Sequence, residues 1–306
     1  EATFEGDSGF RLKYLDEILN FSKIKTLSGK KLFIRLNNKG GEIFFTRTYL
    51  ENNYLDIELV EGILIDFSDA LLKNTKIKRG QIENHILQEK EGQFSKAQEI
   101  YLLLKNNFHG IGQYEDESWA FKKEKDMNRF SNSFGEFINN RKKKNQFKKI
   151  LLSIKKNLGK KIILKFKLFK KWLFSKKAIK WFNLSFSNFI FQYGENPWYV
   201  IRFASIVILF FSVLLNITGI VRGDRTYFTL KQIEEMQGGN ILKYSGPITG
   251  NFLNCLYFSV VTFTTLGYGD FQPLEGWSRF LVSSEALLGA FAMALFVYTF
   301  ARKTGG

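Results

Sequence analysis

Apolar positions follow three different patterns along the chain. From residue 203 to 220 eighteen residues run without a charge, FASIVILFFSVLLNITGI, behind Asn196-Pro197, a capping side chain and a proline suited to a first helical turn. Counted from Tyr199 these 22 residues rise roughly 33 Å as a helix, enough for a hydrocarbon core of about 30 Å, with Arg202 placed to snorkel. A second long run, residues 277–301, contains one acid, Glu285, and is closed by Arg302-Lys303. Between the two, residues 251–264 (NFLNCLYFSVVTFT) are apolar but rise only roughly 21 Å, too short to cross, so a re-entrant helix is expected. The fold class that follows is a mainly α membrane protein with two transmembrane helices, at about 198–220 and 277–301, and a re-entrant helix at about 251–264.

Upstream the periods change. Residues 96–108 (KAQEIYLLLKNNF) and 114–129 place apolar side chains at helical spacing on either side of Gly110-Ile111-Gly112, predicting an αα-hairpin. The series Ala97, Tyr101, Leu104, Phe108, Gly112 and Ala120 resembles a tetratricopeptide-type helix pair, one copy of which makes no solenoid. Residues 65–89 divide into the pentads IDFSD, ALLKN, TKIKR, GQIEN and HILQE. Their centres Phe67, Leu72, Ile77, Ile82 and Leu87 are all apolar, with Ala70, Thr75 and Gly80 two residues ahead of a centre. This is similar to a degraded pentapeptide repeat, which implies a square right-handed β-helix within residues 1–95. Residues 30–45 alternate around Asn37 to Gly41, a strand-turn-strand signal. Four regions result: a β domain at 1–95, the hairpin at 96–135, a juxtamembrane region at 136–195 and a membrane domain at 196–306.

Charge sharpens the third region. The chain carries a net +16, but residues 141–180 alone hold 17 Lys and Arg, and removing them leaves 28 basic against 29 acidic residues. In that tract lysines alternate with Phe, Ile, Leu and Trp, as in KIILKFKLFKKWLF, and no uncharged window reaches 18 residues. It is expected to lie on the membrane as an amphipathic element against anionic lipid, at about 1 kcal/mol per basic residue near such a surface. Beside a span this accounts for the charge without nucleic acid, and a voltage sensor lacks its partner helices. Basic residues before the first span and after the second place both termini in the cytoplasm of a multi-pass plasma-membrane protein.

Enzymatic and metal chemistry is poorly supplied. One cysteine, Cys255, excludes an internal disulfide framework and a Cys-based zinc cluster, and it is expected as a small buried hydrophobe on the short helix. His85 and His109 are expected as surface or capping residues. No phosphate loop, nucleophile triad or calcium loop is present in the sequence, so the expectation is no enzyme and no cofactor.

The short apolar helix runs straight into Thr264-Thr265-Leu266-Gly267-Tyr268-Gly269-Asp270. Gly267 and Gly269 reach backbone conformations that other residues strain to adopt, which lets successive carbonyls from Thr265 to Gly269 point one way. Four such strands around an axis would present rings of oxygen in place of the hydration shell of potassium. Residues 262–270, TFTTLGYGD, resemble the signature of the potassium-channel superfamily, and the layout around them is similar to the prokaryotic two-span pore module, over about a third of the chain.

The resemblance implies specific roles. Thr265 supplies the innermost site through hydroxyl and carbonyl, and Leu266, Gly267, Tyr268 and Gly269 supply carbonyls; Leu266 stands where Val or Ile is commoner. Tyr257, where Trp is frequent, is expected to brace the filter through Asp270, while Val261 replaces an acid found in some relatives. Gly289, ten residues after Arg279, is implied as a gating hinge, with a close helix contact as the other reading. Glu285, an acid inside a span, is expected to brace the outer pore; Thr264, Met293 and Val297 are expected at the cavity. Since one chain brings one filter strand, a homotetramer conducting K+ follows, with regulation entering through the N-terminal part. Two other classes remain open: a membrane-anchored pentapeptide-repeat scaffold with a vestigial pore, and a weakly selective cation channel, which Tyr268 disfavours.

Overall fold

The computed structural model describes residues 3–4, 8–12, 19–22, 25–26, 31–36, 41–58, 62–143, 158–223, 225–227, 245–274 and 276–304. They fall into two units, Glu1–Phe186 and Ser187–Gly306.

The first unit begins as a stack of short parallel strands in three sheets. β1 (Thr3–Phe4), β4 (Lys25–Thr26), β7 (Tyr49–Glu51) and β10 (Leu71–Lys73) form one sheet. β2 (Ser8–Leu12), β5 (Lys31–Leu36) and β8 (Tyr54–Glu58) form the second, and β3 (Leu19–Asn20), β6 (Gly41–Phe44) and β9 (Ile63–Asp66) the third. Successive strands visit the three sheets in turn, so the chain winds as a parallel β-solenoid. Every second residue points inward: Leu55 and Ile57 on β8, and Ile63 and Ile65 on β9, are buried. Phe21, Phe45 and Phe67 stack as an inner ladder with centroids 5.3 and 5.2 Å apart. Two edges turn on non-glycine residues at positive φ, Arg47 and Asp69 on one, Asn52 and Asn74 on another, while Gly41 and Gly62 take φ +126° and +94° where β6 and β9 begin.

The solenoid differs from the expected square pentapeptide helix. Thr3 pairs with Lys25, Lys25 with Tyr49 and Tyr49 with Leu71, spacings of 22, 24 and 22 residues. The coil is therefore longer than four five-residue faces, and the pentad period does not carry round it. Within residues 65–89 all five pentad centres are buried, but only the first part is strand, and Arg79–Ile82 (α1) and Leu87–Lys90 (α2) are short helices. The two alternating runs at 31–36 and 41–44 are strands of different sheets rather than a hairpin pair; the turn between them lies outside the described residues.

A helical hairpin closes the end of the stack. α3 (Phe94–Gly110) and α4 (Tyr114–Ser131) pack together across a turn in which Gly112 takes φ +72°. Ala97, Tyr101, Leu104, Phe108 and Ala120 are all fully buried, in one core with the solenoid residues. Asn107 is buried here, its amide accepting from Thr75 N–H at 2.8 Å and donating to Thr75 C=O at 2.7 Å. The side chain thus serves the last coil as one more strand's peptide would, where an open edge would leave both groups unpaired. His85 Nδ1 lies 2.6 Å from the Ile63 carbonyl, and His109 pairs with Glu117 at 2.9 Å. Arg79 forks onto Glu83 at 3.0 Å and holds its carboxyl below the usual range.

After α5 (Phe134–Lys143) the basic tract continues as α6 (Leu158–Leu173) and α7 (Lys176–Phe191); its residues 144–157 lie outside the described set. Trp172 is buried against Phe134, Trp181 and Phe182 and donates to the Asn132 carbonyl at 3.1 Å. The opposite surface is unusual for water: Phe166 and Phe174 are 70% and 80% exposed, and Ile163, Ile179 and Phe186 are exposed too, interleaved with exposed Lys165, Lys167, Lys170, Lys171, Lys176, Lys177 and Lys180.

In the second unit, α8 (Pro197–Thr218) is capped by the Asn196 side chain, which accepts from Trp198 N–H at 3.1 Å. Gly219, at φ +93°, ends it. A small antiparallel sheet follows, β11 (Ile220–Arg222) between β12 (Arg225–Tyr227) and β13 (Gln272–Pro273). α9 (Ser245–Phe263) and α10 (Trp277–Thr304) complete the unit. α8 and α10 are long and apolar enough to cross a membrane, and only 28% and 17% of their apolar windows are buried, too little for core helices of a water-soluble domain. α9 begins earlier than expected because Pro247 sits in its first turn, where a missing N–H costs nothing; its apolar part is still only Asn251–Phe263.

Candidate ion pathway

The pore candidate is assembled at the C-terminus of α9. Leu266 N–H reaches back to the Val261 carbonyl and Thr265 N–H to the Thr262 carbonyl, both at 3.0 Å. These crossed bonds are a Schellman ending, which requires a left-handed residue after the helix; that residue is Thr265, at φ +57°. A β-branched residue is a poor occupant of this conformation, at a cost of roughly 1–2 kcal/mol. Its hydroxyl donates to the Thr264 carbonyl at 2.7 Å, and the Thr264 hydroxyl donates to Val260 C=O at 2.7 Å.

Left-handed backbone then recurs at every second residue, at Thr265 (+57°), Gly267 (+59°) and Gly269 (+78°). A Cβ at Gly267 or Gly269 would meet nothing within 4 Å, so glycine is needed for conformation and not for space in a single chain. The stretch is exposed, with Leu266 57% and Tyr268 66% accessible.

The surroundings fix this stretch from two sides. Phe271 is buried against Tyr257 and Phe258, at centroid distances of 5.8 and 6.3 Å, and the Arg222 guanidinium lies over its ring at 5.3 Å. The Asp270 carboxyl lies near enough to the Tyr257 hydroxyl to act on it electrostatically. Cys255 is fully buried with Leu215, Ile220 and Phe258. Ser278 donates to the Gly219 carbonyl at 2.8 Å, fastening the start of α10 to the end of α8.

On α10, Ser278, Glu285, Gly289, Ala292 and Thr299 form the buried face. Gly289 meets the end of α9 backbone to backbone: a Cβ there would lie 1.9 Å from the Phe263 carbonyl oxygen. One turn earlier Glu285 hydrogen-bonds Ser259 of α9. Met293 and Val297 lie off this face, 50% and 63% exposed. At the other end of α10, Arg302 pairs with Glu195 at 2.6 Å, and Gly194 packs beneath Tyr298.

Three features were not read from the sequence: Ser259, Phe263 as the partner in the close helix contact weighed for Gly289, and the Arg222–Phe271 contact. Ser259 had a signal, a polar residue on an apolar helix facing an acid on an apolar span. The other two depend on backbone geometry and on a sheet whose strands are two or three residues long.

The geometry describes a membrane protein in which a helix with a short apolar part carries a left-handed-alternating loop between two spanning helices. Comparison with known proteins points to the part of this arrangement that holds α9 and α10 and not α8: residues 233–305, about a quarter of the chain, match the family described as ion channel. A 53-residue stretch is 43% identical to two pore potassium channel a of rice, Oryza sativa subsp. japonica. The match covers 17% of this chain and only 15% of that protein's length. No solved structure matches the chain.

Proposed function

We propose that the chain forms a potassium-selective channel, four copies surrounding one pore in the plasma membrane with both termini cytoplasmic. The observation that carries this is the left-handed backbone at Thr265, Gly267 and Gly269, at the end of a helix whose apolar part, Asn251–Phe263, is too short to cross the membrane. Alternation of this kind turns successive carbonyls to one side, the arrangement that replaces a hydration shell. Thr265 contributes its hydroxyl as well, and Leu266, Gly267, Tyr268 and Gly269 contribute carbonyls.

The exposure of Leu266 and Tyr268 supports fourfold assembly, since irregular backbone at membrane depth is tolerated only when shielded by protein or lining water. Tyr257 and Asp270 brace the filter from behind, and Thr264, Met293 and Val297 line the cavity below it. Gly289 has its close contact with Phe263 in this conformation, and bending there is the proposed gating motion. The exposed aromatic and lysine surface of α6 and α7 rests on anionic lipid, and the N-terminal unit regulates opening through it.

Selective binding tests the proposal. Tetramers in detergent should melt at higher temperature in potassium than in sodium, because an ion bound only by the folded filter stabilises it by RT ln(1 + [L]/Kd). Equal melting in the two salts, in protein shown to be tetrameric, would contradict it.

A further inference from the structure

Ser259 and Glu285 are both fully buried, where α9 meets the two spanning helices. Ser259 Oγ lies 3.0 Å from the Ile208 carbonyl of α8 and hydrogen-bonds Glu285 Oε1 of α10. A hydroxyl has one hydrogen to give, and a backbone carbonyl only accepts. When the serine hydrogen serves Ile208, the hydrogen between Ser259 and Glu285 has to come from the carboxyl group.

The remaining atoms favour that direction. Glu285 Oε2 is buried with no hydrogen-bond partner among the described residues. A bare carbonyl oxygen of an acid is a modest cost, whereas a bare carboxylate oxygen in an apolar setting is a large one. No charged side chain acts on Glu285 among the described residues, and Ser259 is its one hydrogen-bonding neighbour there. Were the serine hydrogen turned to Glu285 instead, an ionised acid would sit in the membrane on one bond without a counter-charge.

The register adds a second contact. Ser259 and Phe263 are four residues apart on α9, and Glu285 and Gly289 are four apart on α10, so the polar contact and the backbone approach are two rungs one turn apart. The upper rung reaches on to α8 through Ile208, whose carbonyl also accepts from Ser212 at 2.6 Å.

We propose that Glu285 is a positioning residue that works as an uncharged carboxylic acid, donating to Ser259 and through it to Ile208, so that a polar clasp holds the pore helix to both spanning helices. This rests on the pore proposed above and adds a role for Ser259, six residues before the filter begins. No group of the clasp touches the ion; it sets where the filter stands.

Infrared difference spectroscopy of the full chain in lipid tests it directly. The spectrum of the unmodified protein minus that of Glu285→Gln, at neutral pH, should contain the carbonyl stretch of a protonated carboxylic acid, shifted when Ser259→Ala removes its acceptor. A carboxylate band in its place overturns the proposal. In flux measurements Glu285→Gln, which still donates and carries no charge, should conduct within about twofold of the unmodified protein. Glu285→Ala and Ser259→Ala should lose roughly tenfold, the effect of about one buried hydrogen bond. Full flux from Glu285→Ala, or loss in Glu285→Gln equal to that in Glu285→Ala, overturns the positioning role. Absence of flux from the unmodified protein would instead strike the pore proposal, and the infrared band would still decide the state of Glu285.

Discussion

At Thr265 two demands meet in one residue. Ending α9 requires a left-handed residue, which glycine would supply without strain, but glycine has no hydroxyl to offer an ion. Keeping threonine at that cost fits a position selected for chemistry rather than for stability. Gly289 presents the reverse case. The oxygen that its Cβ would strike belongs to the backbone of Phe263, which cannot swing aside as a side chain would. Gly289→Ala should therefore destabilise the assembled protein by about 1–3 kcal/mol, read as a lower midpoint in denaturant. A glycine serving only as a hinge would leave that midpoint unchanged while reducing open probability, so the two measurements together separate contact from bending. The left-handed backbone at Gly267 and Gly269 was legible residue by residue because glycines at fixed spacing are a local signal. The Ser259–Glu285 pair was only half legible. Glu285 stood out as an acid in a span, but its partner is 26 residues away on another helix, and no local pattern joins them.

Elements were legible where one period dominated. Eighteen uncharged residues, and a second long apolar run broken only by Arg279 and Glu285, leave few alternatives to spanning helices, and α8 and α10 lie where those runs put them. The start of α9 was missed because Ser245-Gly246-Pro247 carries the composition of a turn, although a proline in a first turn is compatible with helix. The solenoid was visible as inward-facing apolar residues, but its coil length was not. Corners made by Arg47, Asn52, Asp69 and Asn74 at positive φ leave no glycine to mark them, and a five-residue period fits the buried positions of one coil without fitting the next. The capping of the stack is a property of neither element alone. Asn107→Leu keeps the number and branching of side-chain heavy atoms but strands the Thr75 N–H and C=O, each at about 1–3 kcal/mol. Trp119, buried in the same core, should report the earlier unfolding by fluorescence, and an unchanged midpoint would mean that the cap carries no weight.

For the whole molecule, charge and apolar exposure are concentrated together on α6 and α7, which precede the first spanning helix in sequence. Such a surface is costly in water and favourable at an anionic bilayer. Amides of α6 and α7 should exchange hydrogen more slowly in nanodiscs of anionic lipid than in zwitterionic ones. Replacing Lys165, Lys167, Lys170 and Lys171 by glutamine should remove most of the difference, and equal exchange in both lipids would refute the lipid contact. The central claim concerns the other end of the chain. Purified protein in liposomes, loaded to drive either potassium or sodium, measures it most directly, with Gly267→Asp as the control that breaks the left-handed alternation and adds a charge to the filter. The account predicts potassium flux well above sodium flux, abolished by Gly267→Asp; equal passage of both ions, or potassium flux unchanged by that substitution, would contradict it.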